Sequence, residues 1–185
     1  QGLDLLIDVN SLPYENLSDA EKEGLVFMRE EEKLARDVYK NMFHKYSLKI
    51  FNNISASEQT HMNAIKQILD KYGVPDPVGN DHPGTFLNQE LQTLYNVLVL
   101  KGSGSVIEAL NVGAIIEEVD IIDLQKELNS PEVDNEDIKF VYNNLLKGSA
   151  NHLRAFVKNL KVRGVSYSPQ YLDPETFTKI INGQI

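Results

Sequence analysis

Glu58 and His61 stand three residues apart in a helical pattern whose other positions are Ile54, Ile65, Ile68 and Tyr72. A Glu-x-x-His pair at i, i+3 lies on one helix face, so its carboxylate and imidazole can grip one ion from one side. Three more apolar stripes break in the same way. Glu32 interrupts Leu25, Met28, Ala35, Tyr39 and Met42. Glu117 interrupts Leu110, Ala114, Ile121 and Leu124, while Ser149 and His152 interrupt Ile138, Tyr142, Leu145 and Phe156. A carboxylate buried alone is costly unless it is paired or neutralised. Four stripes broken at similar height therefore point to polar residues that meet, with a divalent cation offsetting the carboxylate charge. Oxygen and nitrogen donors in this mix suit iron, manganese or zinc. The chain has no cysteine, which excludes disulfides, iron–sulfur clusters and thiolate metal sites.

Four long helices must position these residues. Ser18 and Glu21 form a capping box that opens the first, which runs to about Tyr46. The second spans about Phe51 to Tyr72 and stops at Gly73 with Pro75 beyond. A Pro- and Gly-rich loop follows, then a shorter helix over about Asn88 to Lys101, both within one long crossover. Ser105 and Glu108 offer a second capping box for the third long helix, which runs to about Leu128. The fourth is expected from about Val133 to Val162, with Pro131 near its start. A tail closes with a short helix from about Pro174. The expected fold is all-α: two helical hairpins joined by a long connection, a topology used by bundles that hold metals in their core. Residues 1–17 read as a lead-in across the bundle, 18–163 as the bundle, and 164–185 as a tail packed on it.

The order Glu32, Glu58-x-x-His61, Glu117, x-x-x-His152 resembles the di-metal signature of the ferritin-like superfamily, which includes rubrerythrin and bacterioferritin. "EKLARDVY" (Glu32–Tyr39) looks like the first rubrerythrin helix, "EQTH" (Glu58–His61) matches the second element and "IEEVDI" (Ile116–Ile121) is similar to the third. Taken with "EEEKLARDVY", "SEQTHM", "VGAIIEEVDIIDLQ" and "GSANHLRAF", the chain most resembles a branch known as a domain of unknown function, over roughly Leu17 to Leu160. The resemblance implies a ferritin-like four-helix bundle with Glu32, Glu58, His61, Glu117 and His152 as metal ligands. It implies iron, as one ion or two, with manganese or zinc as alternatives. The chemistry it implies is oxidation of Fe(II) by a small oxidant such as dioxygen or peroxide, or reduction of peroxide. One departure stands out: the last element reads "SANH", with Ser149 where the family carries a glutamate. Three glutamates fall one charge short of two divalent ions. Asp120, one turn after Glu117, is a candidate for the missing carboxylate, since rubrerythrin carries a carboxylate pair at this spacing. Glu118 points about 100° away from Glu117 and is a weaker candidate. A single-ion site, or a degenerate scaffold that binds a partner or only a structural ion such as zinc, fits the same departure.

Other residues have plain readings. Glu58 could instead complete a capping box with Ser55, a reading that fails if the helix begins near Phe51. "REEEK" (Arg29–Lys33) reads as a mostly solvated helical face with local ion pairs. Ser149 reads as a small packing residue. Arg154 is free to pair with a carboxylate near the site or to lie on the surface. Tyr39, two turns from Glu32, is either a core aromatic or a proton relay.

The net charge of −9 over 185 residues argues against nucleic acid and anionic membranes as partners. No apolar run approaches the length of a membrane span. The chain opens on Gln1 rather than methionine, which leaves room for a removed export signal. A monomer or homodimer is expected, because the crossover helix and tail are unlike the features of a storage shell.

Overall fold

The structure, a computed structural model, describes residues 9–185, so residues 1–8 of the expected lead-in lie outside the described residues. Among the described residues there are six α-helices and no strand: α1 (Asp19–Tyr46), α2 (Lys49–Tyr72), α3 (Gln89–Gly102), α4 (Val106–Asn129), α5 (Glu136–Lys161) and α6 (Pro174–Ile181). α1 with α2, and α4 with α5, form the two long hairpins. α3 lies on α1 and α4, and α6 on α5.

Local chemistry sets most of the helix ends. Ser18 Oγ accepts from the Glu21 amide and Glu21 returns the bond to the Ser18 amide, closing the capping box at α1. Ser47, at φ 54°, ends α1 in the left-handed region and turns the chain into α2 within two residues. Gly73, at φ 65°, does the same for α2. Asn88 and Ser105 cap α3 and α4 through their side chains, and Asp173 with Pro174 opens α6.

Two boundaries depart from expectation. α2 starts at Lys49 instead of Phe51, which puts Ser55 inside the helix, its hydroxyl on the Asn52 carbonyl. Ser55 therefore caps nothing, and the capping reading of Glu58 falls away. α5 starts at Glu136 instead of Val133, because the Asp134 and Asn135 amides donate to Glu21 Oε1, 3.1 and 3.0 Å away. The buried Glu21 side chain thus caps its own helix with one oxygen and holds the start of α5 with the other. Pro131 sits in the turn before that contact.

The long helices run antiparallel to their neighbours. Tyr39 meets Gly113 and Glu117 while Gly24 faces Glu127, which fixes the register of α1 on α4. Phe51 packs on Phe156, and Tyr72 reaches Asp137, which fixes α2 on α5. The apolar core falls into two clusters. One contains Val38, Phe51, Leu110 and Phe156; the other contains Met28, Ile65, Leu124 and Leu145. Glu32, Glu58, His61, Glu117 and His152 fall between these residues along their helices.

The expected solvated face at Arg29–Lys33 is a correction: all five residues are buried. The crossover engages Arg29, Glu30 and Lys33, whereas Glu32 faces α2. Arg29 makes a two-pronged pair with Asp76, at 3.0 and 2.9 Å. Glu30 accepts from the Leu87 and Asn88 amides, and Lys33 donates to Asp37 and to the His82 carbonyl. Burying Arg29, Glu30 and Lys33 is tolerated because each finds a charged or backbone partner.

Candidate metal centre

The polar breaks of the four stripes converge. Glu32 on α1, Glu58 and His61 on α2 form one group of donor atoms all within 4.8 Å of one another. Glu58, Glu117 on α4 and His152 on α5 form a second. Glu58 belongs to both. Its Oε2 lies 2.7 Å from His61 Nδ1 and its Oε1 lies 2.8 Å from His152 Nδ1. Glu32 Oε2 is 3.1 Å from His61 Nδ1, and Glu117 Oε2 is 3.4 Å from His152 Nδ1. The imidazole rings lie nearly parallel with centroids 5.5 Å apart.

Close approach here is not the same as hydrogen bonding. Glu32 Oε1, both oxygens of Glu58 and His152 Nδ1 are buried without a hydrogen bond, although their neighbours are within reach. Buried polar atoms are ordinarily satisfied, so orphaned atoms on three neighbouring residues of these groups fit ligands that converge on a common point. The opposite edge of one ring is anchored: His152 Nε2 is 2.9 Å from Ser57 Oγ. If Nε2 donates in that bond, Nδ1 carries the free lone pair. Gly148 makes room for the other ring, because a Cβ at that position would stand 2.5 Å from His61 Nε2.

Burial and the facing charges decide which of these groups hold protons in the metal-free protein. Burial pushes Glu32 up to about 7 against the pull of His61, and burial likewise pushes Glu117 up to about 7 against His152. Burial would raise Glu58 as well, but the facing imidazoles of His152 and His61 outweigh it and hold that carboxyl below the usual range. Burial works against protonation of His152, yet Glu58 and Glu117 raise it to about 10. His61 is raised well above its ordinary value by Glu32 and Glu58, again against burial. A divalent cation can replace such shared protons.

The other expected residues take different places. Asp120 is buried beside the cluster but belongs to neither group of donors. Its Oδ2 accepts from Ser149 Oγ, and its Oδ1 has no partner. Ser149 is thus more than a space-filler, since it binds the Asp120 carboxylate across from α4. Tyr39 donates to Glu117 Oε1 at 2.6 Å, so it orients a candidate ligand from outside the donor groups. Among the described residues Arg154 pairs with no Asp or Glu side chain; it donates to the main-chain oxygens of Ile180 and Ile185 and holds the tail. Glu118, the weaker candidate, is fully buried on another side and accepts from Tyr167 Oη and the amides of Gln170, Tyr171 and Leu172. No local signal marks that role, because its partners lie about fifty residues away.

Comparison with known proteins adds kinship to this geometry. The uncharacterized protein domain DUF2202 matches residues 21–184. The uncharacterized protein MJ0754 of Methanocaldococcus jannaschii is 55% identical over 174 residues, 94% of this chain and 93% of its own length. The crystal structure of the hypothetical protein MJ0754 resembles this fold with a TM-score of 0.89 at 56% identity, covering 92% of this chain and 97% of that one. With a family match over most of its length and a relative this similar, the chain belongs to the DUF2202 family.

Proposed function

We propose that the bundle is a ferritin-like metalloprotein that binds a divalent transition metal between its four long helices. Glu32, Glu58, His61, Glu117 and His152 are the ligands and Glu58 is shared between two positions. The observation that carries this reading is the pair of buried donor groups meeting at Glu58, with donor atoms left unsatisfied toward one another. Three carboxylates and two imidazoles are the donor chemistry of iron, with manganese or zinc as the alternatives. Bound iron supplies a redox couple for a small oxidant such as dioxygen or peroxide, which makes a ferroxidase or peroxide-reducing activity the reaction to screen. The chain's own residues orient the ligands: Tyr39 on Glu117 and Ser57 on His152.

Ser149 favours a second reading. It stands where a fourth glutamate would supply charge, and it occupies one oxygen of Asp120. One ion held for stability, without turnover, fits that arrangement. Elemental analysis of tag-free protein, with Glu58→Gln beside it, tests both. Near two ions per chain, lost in the variant, supports the two-position centre. One ion supports the reduced site, and oxygen- or peroxide-dependent turnover then separates an enzyme from a structural ion. No metal, even after anaerobic loading with Fe(II), Mn(II) and Zn(II), overturns the metalloprotein reading.

A further inference from the structure

Large apolar side chains are exposed unevenly over the surface. Of the seven exposed among the described residues, four lie close together: Leu87, 72% exposed, and Leu94, Val97 and Leu100 of α3, at 37, 55 and 77%. α3 already buries one apolar face, through Leu91 and Leu98, where it lies on α1 and α4. At 3.6 residues per turn, Glu90, Leu94, Val97 and Lys101 fall in a separate stripe about 60° wide, beside that buried face. The apolar middle of this stripe continues onto the bundle. Leu94 shares the walls of a narrow slot with Ile115 and Val119 of α4, both half-buried. Grouped apolar side chains with a polar border mark a surface that meets a partner.

The stripe is its own complement. Leu94 with Val97, and Glu90 with Lys101, are centred on the same point of α3. Two copies of α3 laid antiparallel across a twofold axis at that point set Leu94 of each against Val97 of the other, and Glu90 of each against Lys101 of the other. Glu90 and Lys101 are both exposed, and neither forms an ion pair among the described residues. A parallel pairing would instead set like charges together at both ends. We propose that the crossover helix α3 is a homodimer interface, with a second copy of this chain packed antiparallel on it. Leu94 and Val97 form its centre, Leu87 and Leu100 widen the apolar area, and two Glu90–Lys101 pairs close the rim. The interface does not depend on the metal-centre reading.

The test is sedimentation equilibrium of the full chain over a concentration series. It compares wild type with Val97→Asp, Glu90→Lys, Lys101→Glu and the double reversal Glu90→Lys/Lys101→Glu, each checked for wild-type helicity by circular dichroism. Wild type is expected to be a dimer that dissociates on dilution. Val97→Asp should raise the dissociation constant about a hundredfold, because it puts a charge into the apolar centre twice per dimer. Each single reversal should raise it about tenfold, because both rim contacts become like-charged. The double reversal should return it to the wild-type value, a rescue that only the antiparallel register gives. A monomeric wild type overturns the proposal, whether the face is then bare or covered by a different protein. A dimer indifferent to Val97→Asp, or one that the double reversal fails to restore, overturns it as well.

Discussion

Glu58→Gln is the sharpest perturbation this structure offers. The substitution keeps the shape of the side chain and removes the one charge that faces both imidazoles, at 2.7 and 2.8 Å. Neutralising one partner of a buried ion pair costs about 3–5 kcal/mol. Here His152 can shed its proton once Glu58 no longer holds it, so the lower end applies. For a chain of this size, about 3 kcal/mol is a fall of about 6–12 °C in the melting temperature of the metal-free protein. The metal-dependent part is separate. An ion at a hundred times its Kd stabilises the folded state by about 2.7 kcal/mol, or about 5–11 °C. That increment should vanish in Glu58→Gln, because neither donor group is complete without its carboxylate. Differential scanning fluorimetry with and without Fe(II), Mn(II) or Zn(II), under anaerobic conditions, reads both quantities. A variant that keeps the wild-type metal increment and stoichiometry would refute the assignment of Glu58 as the shared ligand.

Further outcomes follow from the same contacts. The metal-free protein should lose stability as pH rises from about 5 to about 9. Glu32 and Glu117 stand at about 7 against an ordinary 4.5, and His152 at about 10 against 6.5, so the folded state holds more protons than the unfolded chain throughout this window. A metal replaces those protons, so the melting-temperature increment on loading should grow with pH; a metal-free melting temperature that climbs over the same range would contradict the shared-proton network. Gly148→Ala drives a methyl group against His61. It should cost about 1–3 kcal/mol and weaken metal uptake, both visible in one thermal and metal titration series. Glu118→Gln should leave the centre intact while loosening residues 167–172, at a cost of about 2 kcal/mol, seen as faster amide exchange confined to that segment.

Much of the fold was legible because its signals are local. Ser18 with Glu21, Gly73, Asn88, Ser105 and Pro174 mark helix ends by the hydrogen bonds that an adjacent side chain or a left-handed residue can make. The breaks in four apolar stripes were equally legible, since a helix of 3.6 residues per turn puts Glu58 and His61 on one face whatever surrounds it. Boundaries failed where a distant residue decides them. α5 starts three residues late because Glu21, more than a hundred residues earlier, accepts from Asp134 and Asn135. Arg29–Lys33 read as solvated because charge alone says nothing of the crossover that engages Arg29, Glu30 and Lys33. The tail partners of Glu118 and Arg154 were not legible for the same reason, since those segments have no helical period relative to them.

The amino-acid sequence by itself determined the helices, the order of the donors along them, and the absence of thiolates. Those properties depend on residue type and spacing within a few turns. Only the tertiary structure decided that Glu58 faces both histidines and that Asp120 is held by Ser149 just outside the donor groups. Each is a contact between helices, set by how two hairpins pack in antiparallel register, and a one-dimensional pattern carries the face of a helix but not the partner it will meet.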